Sequence, residues 1–169
     1  MISTQRLALI PLSVANLETS LVSIKQLSVD LNLPIVSDLL AGRAEGAVKK
    51  KLVKMHAVPE EMHPWYTYFL IVIRAENIGA GLVGFKGAPD RIGSVEIGYS
   101  ISPVFQGSGY MTEAVEALTD WAFSHRECLR VTAPRVVPDN ISSRKVLLKA
   151  GFIETLMEAD GVSYVKERD

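Results

Sequence analysis

The order of strand and helix patterns along the chain predicts a single domain of the mixed α/β class. Alternating apolar residues mark strands that follow one another closely, with turn residues at Asn77 and Gly79 and again at Asp160 and Gly161. Apolar residues at helical spacing mark amphipathic helices between these strand pairs. A chain of 169 residues is long enough to bury a core as one domain.

The N-terminal part of the chain is predicted to be mostly helical after a first strand. Pro11 closes that strand, and Ser13 is suited to cap the next helix because its hydroxyl can accept a backbone N–H of the first turn. Pro34 and Gly42 interrupt the later helical patterns. The predicted segments are a strand at 6–12, helices at 14–27, 35–40 and 44–55, and a loop at 56–64.

The rest of the chain is predicted to alternate hairpins and helices. Asp139 or Asn140 can cap the last helix, and Gly151 suits the left-handed position at its end. The predicted segments are a strand from 65 or 66 to 74, a second strand that follows the turn at 77–79 and ends near 86, a strand that contains residue 96, a helix that leaves the 107–109 turn, a strand at 129–137, a helix at 141–149, and a hairpin of strands at 152–157 and 162–167.

The segment from Ile101 to Ala117 is the most informative part of the sequence. A strand pattern precedes it, and apolar residues at helical spacing follow. Between them lie Gly107, Ser108 and Gly109, whose small size lets backbone approach a ligand closely. A strand that passes through a glycine turn into a helix gathers unpaired N–H groups at the positive end of the helix dipole. The pattern therefore suggests recognition of a phosphorylated cofactor, because such a turn can bind phosphate without any basic side chain.

Two common phosphate-binding motifs do not fit this turn. A Walker loop needs a Gly-Lys pair, which the sequence lacks, and a dinucleotide fingerprint would need glycine in place of Thr112. A literal G-x-G-x-x-G at Gly79, Gly81 and Gly84 precedes residues that cannot open a helix, so we interpret it as accidental. On spacing alone, an ordinary strand-to-helix turn explains the pattern as well as a phosphate site does.

Two segments resemble the GNAT superfamily of N-acyltransferases. The family's acyl-CoA-binding motif, Q/R-x-x-G-x-G/A, is similar to V-E-I-G-Y-S-I-S-P-V-F-Q-G-S-G-Y-M-T-E-A, where it falls on Gln106, Gly109 and Met111. The family's Asn-containing helix is similar to P-D-N-I-S-S-R-K-V-L-L-K-A-G-F, with N-x-x-S at Asn140 and Ser143. The opening T-Q-R-L-A-L-I-P-L resembles the first strand of the branch that includes ribosomal-protein N-terminal acetyltransferases.

This resemblance implies a mainly antiparallel, bent sheet flanked by helices, and acetyl-CoA as co-substrate. It implies that the glycine turn binds the pyrophosphate and that Ile101 pairs its backbone with the pantetheine arm, like an added strand. The implied cofactor-binding residues are Ile101, Gln106, Gly107, Ser108, Gly109, Tyr110, Met111 and Asn140. Met111 stands where the family usually has Gly or Ala, so its side chain is expected to point away from the pyrophosphate. The resemblance does not extend to residues 14–66.

Two residues are candidates for catalysis. Glu96 alternates with an apolar set and therefore shares a strand face with Gly98 and Ser100, which leave room for a substrate or a water. It is a candidate general base, with a solvated surface glutamate as the alternative. By resemblance, Ser143 lies near the sulfur and protonates or hydrogen-bonds the departing thiolate; the alternative is a polar first-turn residue. The tyrosine that many family members use as an acid is Leu147 here.

Composition and the remaining motifs limit other functions. A net charge of −1 gives no nucleic-acid footprint, and the basic run at 49–54 is expected to be a solvated helix face. His56, His63 and His125 lack metal-ligand spacing among themselves or with Cys128, so no metal is expected. No signal peptide or membrane-spanning run is predicted. The lone cysteine fits a reducing cytoplasm, where we expect the protein.

Three functions fit these observations to different degrees. The first is an enzyme that transfers acetyl from acetyl-CoA to a primary amine by direct attack; the acceptor is a peptide or protein N-terminus or a small molecule. The second is a CoA-binding or regulatory module without turnover, an option kept open by Met111 and the missing tyrosine. The third, a nucleotide-dependent reaction, is disfavoured by the missing Gly-Lys pair. The branch resemblance favours an α-amine acceptor, and a homodimer is a possible assembly.

Overall fold

The computed structural model describes the backbone of residues 1–169 and all side chains except those of Leu156 and Glu158. The strands of this described part are β1 (Ile2–Ser3), β2 (Leu7–Pro11), β3 (Phe69–Ile73), β4 (Ile78–Phe85), β5 (Ser94–Ile101), β6 (Arg130–Val136), β7 (Ile153–Glu158) and β8 (Gly161–Glu167). They form one sheet in the order β1-β2-β3-β4-β5-β6-β8-β7. Neighbouring strands are antiparallel except β5 and β6, which are parallel.

Helices cover both faces of this sheet. They are α1 (Val14–Val22), α2 (Ile24–Asp30), α3 (Ala44–Met55), α4 (His63–Tyr66), α5 (Tyr110–Phe123) and α6 (Ile141–Lys149). All five residues of β3 are buried, because Ile71 faces a core shared with α5 and α6 while Leu70 and Val72 face a second core shared with α1, α2 and α3. The predicted mixed, mainly antiparallel sheet flanked by helices is confirmed.

The prediction of one helix at 14–27 was wrong, because Ser23 divides it. Ser13 caps α1 as expected, by accepting the N–H of Asn16. Ser23 then ends α1 in an extended conformation and caps α2, since its hydroxyl accepts the N–H of Gln26 at 3.1 Å. A serine hydroxyl that accepts a nearby backbone N–H competes with the hydrogen bonds of a continuous helix, and here it starts a second helix.

The predicted helix at 35–40 is also absent from the described backbone. Gly79 of β4 donates its N–H to the carbonyl of Pro34 at 2.8 Å and accepts the N–H of Val36 at 2.9 Å. The Pro34 carbonyl and the Val36 N–H are therefore bonded to β4 rather than to a helix. Ile35 forms a parallel bridge with Gly79. Turns occupy residues 37–43 before α3 begins.

The segment predicted as a loop at 56–64 contains helical turns. A 3₁₀ turn spans Glu60–Met62, and α4 follows at once with Pro64 in its first turn, where the missing N–H costs nothing. Trp65 is consequently helical rather than part of β3, and its ring packs 4.6 Å from that of Trp121 on α5. The elements after Phe69 match the predicted ones to within a few residues.

Lys51 is an exception to the solvated basic face predicted for α3. Its side chain is buried, with 5% of the residue exposed. The ammonium donates to the carbonyls of Phe85 and Tyr66 and lies 4.2 Å from the centre of the Tyr68 ring. Burial lowers the pKa of Lys51 to about 7, and the positive charges of neighbouring Lys54 and Lys86 act in the same direction.

The free energy of unfolding is therefore expected to rise with pH above about 7, up to the ordinary lysine pKa of 10.5. In that range the unfolded Lys51 binds a proton that the folded one lacks, so stability rises by up to about 1.4 kcal/mol per pH unit. Urea unfolding between pH 7 and 9 should show this slope in the wild type and a flatter curve in Lys51→Met. The exposed neighbour provides the control Lys50→Met; equal slopes in all three proteins would refute the assignment.

Candidate cofactor and catalytic site

A cleft opens in the sheet where β5 and β6 separate. The two strands pair only from Ser94 to Glu96, which lies opposite Thr132. Beyond that point β5 pairs with β4 alone, as far as Ile101 opposite Gly81. One edge of β5 thus presents backbone groups to the cleft without a neighbouring strand, which is the arrangement that strand-like binding of an extended ligand needs.

The glycine turn lies at the end of this free edge. Gly107 and Gly109 have φ values of +80° and +79°, a left-handed conformation that side-chain-bearing residues rarely adopt. Gly109 is the N-cap residue of α5, so the first N–H groups of that helix, which have no intrahelical partner, lie beside the cleft. The turn therefore has the geometry expected of an anion site made from backbone.

The cleft has a volume of about 450 Å³ and lies between β5, the turn and α6. Most of the residues predicted to bind the cofactor line it: Ile101, Gln106, Gly107, Gly109, Tyr110, Met111 and Asn140. Ser143, a predicted catalytic residue, lines it as well, whereas Ser108 and Glu96 do not. The side chain of Met111 packs in the core, with 6% of the residue exposed, as its departure from the family motif requires.

A hydrogen-bonded network from the connection between β1 and β2 fixes the glycine turn from outside the cleft. Arg6 donates to the carbonyl of Ser108 at 2.9 Å and to the carboxylate of Glu113 at 2.6 Å, and its guanidinium lies 4.8 Å from the centre of the Tyr110 ring. Thr4 donates to the same carboxylate at 2.5 Å. Burial alone would raise the pKa of Glu113, but the hydrogen bonds from Thr4 and Arg6 and the charge of Arg6 outweigh it and lower that pKa.

This network was not found in the sequence. Arg6 and Glu113 are separated by more than one hundred residues, and each alone looks like an ordinary surface charge. The charged Glu113 carboxylate therefore fixes the Arg6 guanidinium, which donates a hydrogen bond to the Ser108 carbonyl in the glycine turn.

Two hydroxyl groups meet on the α6 side of the cleft. The Ser143 Oγ lies 2.8 Å from the Tyr99 hydroxyl, which also lies 3.3 Å from the Ser143 carbonyl oxygen. Asn140 caps α6 by accepting the Ser143 N–H at 3.1 Å. Burial raises the pKa of Tyr99 to about 12, so the phenol keeps its proton. Sequence reasoning placed Tyr99 only in the apolar set of β5; its neighbour on α6 could not be read from spacing.

Glu96 lies on the other face of β5 and forms an ion pair with Lys86, the residue directly opposite it beyond the end of β4. Its side chain is 29% exposed and paired with Lys86. The alternative prediction, a surface glutamate that contacts only solvent, therefore does not describe this carboxylate fully. The predicted room beside it exists, because a Cβ added at Gly98 would meet nothing within 4 Å. Leu147, where a tyrosine acid would stand, is fully buried in the core.

Two further features restrict the chemistry of the described part of the chain. No group of three or more His, Cys, Asp or Glu among the described side chains is arranged to hold a metal ion. Burial raises the pKa of the Cys128 thiol to about 11, so this cysteine is not a thiolate nucleophile.

Among the residues that the structure describes, no helix combines the length and apolar character that crossing a membrane needs.

A mixed sheet that separates beside a glycine turn and a helix N-terminus matches the arrangement that the resemblance in the sequence implies. The model of the GNAT acetyltransferase domain matches residues 39–153. The chain therefore belongs to the GNAT acetyltransferase family.

Individual relatives are similar over part of the chain. An uncharacterized N-acetyltransferase of Bacillus subtilis, YjdG, is 39% identical over 84 residues, which cover 49% of each protein. A probable N-acetyltransferase of the same organism, YjcK, is 45% identical over 56 residues, covering 33% of this chain and 30% of the relative. These matches span half or less of the relatives' lengths.

Solved structures are similar over nearly the whole chain. The ribosomal-protein-S5-alanine acetyltransferase of Vibrio fischeri has a TM-score of 0.65 at 23% identity, covering 99% of this chain and 96% of its own. RimL, a ribosomal L7/L12 α-N-protein acetyltransferase solved with coenzyme A, has a TM-score of 0.67 at 16% identity, covering 98% and 96%. At these identities the likeness shows the fold.

Proposed function

We propose that this protein is an N-acetyltransferase that moves an acetyl group from acetyl-CoA to a primary amine by direct attack. The observation that carries the proposal is the glycine turn at the start of α5, next to the unpaired edge of β5. The helix N-terminus favours a pyrophosphate, with each charge-to-dipole contact contributing ~0.3–1 kcal/mol. The free strand edge offers backbone partners to the amide groups of a pantetheine arm.

Cofactor binding is assigned to the two walls of the cleft. The backbone amides from Gly107 to Met111 hold the pyrophosphate, so the bulk of their side chains matters more than their chemistry. Ile101 pairs its backbone with the pantetheine arm, and Asn140 contacts the cofactor in addition to capping α6. Arg6 supports this role from outside the cleft, because it fixes the turn through Ser108.

The chemical step is assigned to groups on both faces of β5. Glu96 accepts the ammonium proton of the acceptor, through a water, and the space beside Gly98 admits the substrate. Once Glu96 has passed that proton to solvent, the neutral amine nitrogen attacks the thioester carbon while a backbone N–H polarises the carbonyl. The C–S bond then breaks, and the second nitrogen proton also leaves through Glu96. Ser143 stabilises the departing thiolate. Lys86 holds the Glu96 carboxylate in place.

The acceptor is proposed to be an α-amine rather than an unperturbed lysine. An α-amino group with a pKa near 8 costs about 1.4 kcal/mol to deprotonate at pH 7, whereas a lysine near 10.4 costs roughly 4.6 kcal/mol. RimL is named as an α-N-protein acetyltransferase, and the S5 enzyme as a ribosomal-protein alanine acetyltransferase, which supports a protein N-terminus as acceptor.

Two matched peptides test the acceptor class. One has a free N-terminus and a blocked lysine; the other has a blocked N-terminus and a free lysine. Acetylation measured by mass spectrometry at pH 7 should be faster for the first peptide. Rapid acetylation of the lysine peptide, with the free N-terminus left unmodified, would refute the α-amine assignment.

A second candidate, a CoA-binding module without turnover, is favoured by one observation. Leu147 stands fully buried where a tyrosine acid would be, so that source of catalysis is missing. Thiol release from acetyl-CoA, measured against a panel of amines, separates the two candidates. Amine-dependent release supports the transferase, and tight CoA binding without release supports the binding module.

The remaining proposals concern assembly and location. We propose that the protein acts in the cytoplasm, as a monomer or a homodimer, without nucleic-acid, membrane or metal partners. Light scattering at several protein concentrations measures the assembly state. A concentration-independent monomer mass would exclude the homodimer.

A further inference from the structure

The hydroxyl groups of Tyr99 and Ser143 form one hydrogen-bonded pair at the wall of the cleft. Tyr99 comes from the strand whose edge is free, and Ser143 from the first turn of α6, which faces that edge. Their oxygens lie 2.8 Å apart, and both residues line the cleft. No other hydroxyl pair between β5 and α6 is found among the described side chains.

This pair has two arrangements of its protons. In the first, Ser143 donates to Tyr99, and Tyr99 donates to the Ser143 carbonyl at 3.3 Å. In the second, Tyr99 donates to the Ser143 Oγ, and the serine hydrogen is released toward the cleft. A phenol without an available proton could not support the second arrangement. Since burial raises the pKa of Tyr99 to about 12, the phenol stays protonated throughout the working range of pH.

The acidity of the pair decides what it can do for a thiolate. A thiol has an ordinary pKa near 8.5, so proton transfer from a phenol near 12 to a thiolate is disfavoured by about a thousandfold or more. The pair therefore donates a hydrogen bond rather than a proton. This type of stabilisation works best when the donor is oriented before charge develops on the acceptor atom.

We infer that Tyr99 is a positioning residue, which turns the Ser143 hydroxyl toward the cleft so that it donates a hydrogen bond to the departing thiolate of coenzyme A. The inference rests on the proposed function. The acceptor ammonium first loses one proton through water to Glu96, which passes it to solvent. As the neutral amine nitrogen then bonds to the acetyl carbon, the C–S electron pair passes to sulfur and the second nitrogen proton passes to Glu96. The thiolate stays charged, held by Ser143, and takes its proton from solvent after release.

Steady-state kinetics of Tyr99→Phe, Ser143→Ala and the double variant test this inference. Ser143→Ala should lower kcat by about a hundredfold, as loss of a donor to a developing anion does. Tyr99→Phe should lower it by about tenfold, the effect of one neutral hydrogen bond, with little change in the KM for acetyl-CoA. Because Tyr99 acts only through Ser143, the double variant should equal Ser143→Ala, which a general packing defect would not produce.

Tyr68→Phe is the matched control. Burial also raises the pKa of its phenol, but the ring packs against the second core beside Lys51 and does not line the cleft, so loss of the hydroxyl should leave kcat unchanged. Additive losses in the double variant, or a wild-type kcat in Tyr99→Phe, would overturn the inference. If the wild type itself releases no thiol with any amine, the proposed function fails instead, so the two failures are distinguishable.

Discussion

Gly109→Val is expected to abolish the thermal stabilisation of the protein by coenzyme A. In the wild type, coenzyme A at a hundred times its dissociation constant should add about 2.7 kcal/mol to the free energy of unfolding. Gly109 has φ +79°, which a β-branched residue does not adopt without strain, so valine will turn the neighbouring amides away from the phosphate position. A Cβ there would also lie 3.4 Å from the Arg6 guanidinium that fixes the turn.

A matched control separates the lost site from backbone strain. Gly42 has a similar left-handed φ of +64°, and a Cβ there would meet nothing within 4 Å, in a turn outside the cleft. Gly42→Val should therefore lower the melting temperature while keeping the response to coenzyme A. A full response in Gly109→Val would contradict the pyrophosphate assignment. A wild type that responds to ATP or NAD but not to coenzyme A would contradict the choice of cofactor.

Glu96→Gln is expected to lower kcat by 10²–10⁴-fold, the usual contribution of general-base catalysis. Glutamine keeps the shape of the side chain and removes its basicity. The KM for acetyl-CoA should change little, since Glu96 lies outside the cofactor cleft. Raising the pH should partly restore the rate, because each pH unit below the pKa of the acceptor amine reduces its free form about tenfold. Initial rates from pH 6 to 9 measure both effects.

The ion pair with Lys86 requires its own control, because Glu96→Gln also breaks that contact. Lys86→Met removes the pair but keeps the carboxylate. Lys86→Met keeps the carboxylate that accepts the proton and loses only the contact that holds it, so kcat should fall by no more than a few-fold. Equal losses in both variants would assign the effect to the ion pair. A wild-type kcat and pH profile in Glu96→Gln would make Glu96 a structural residue.

The parts of the fold that follow local rules could be predicted from the sequence. The range predicted for α6, Ile141–Lys149, is the observed one, because Asn140 caps its start and Gly151 takes φ +83° after its end. The glycine turn was also predictable, since left-handed backbone positions need glycine and a helix pattern follows at once. Local signals of this kind depend only on neighbours in sequence.

The missed features depend on contacts between distant segments. The hydrogen bonds of Pro34 and Val36 to Gly79 decide against a helix at 35–40, and no neighbouring residue signals them. The burial of Lys51 requires the carbonyl of Phe85, and the Tyr99 hydroxyl requires Ser143 across the cleft. In the first case tertiary hydrogen bonds override local helix propensity, and in the other two a contact with a distant segment sets the environment of the side chain. The candidate site was therefore predictable at its glycine turn and not in the residues that position it.

One single-turnover measurement tests the central claim most directly: the fate of a labelled acetyl group. Enzyme in excess is mixed with acetyl-labelled acetyl-CoA and a peptide with a free N-terminus, then quenched, and the label and free thiol are quantified. The proposed mechanism predicts one labelled acetyl on the peptide amine for each thiol released, with none on the protein at any time. Acetyl-CoA that stays intact while bound would contradict the transferase. Label that passes through the protein would contradict direct attack.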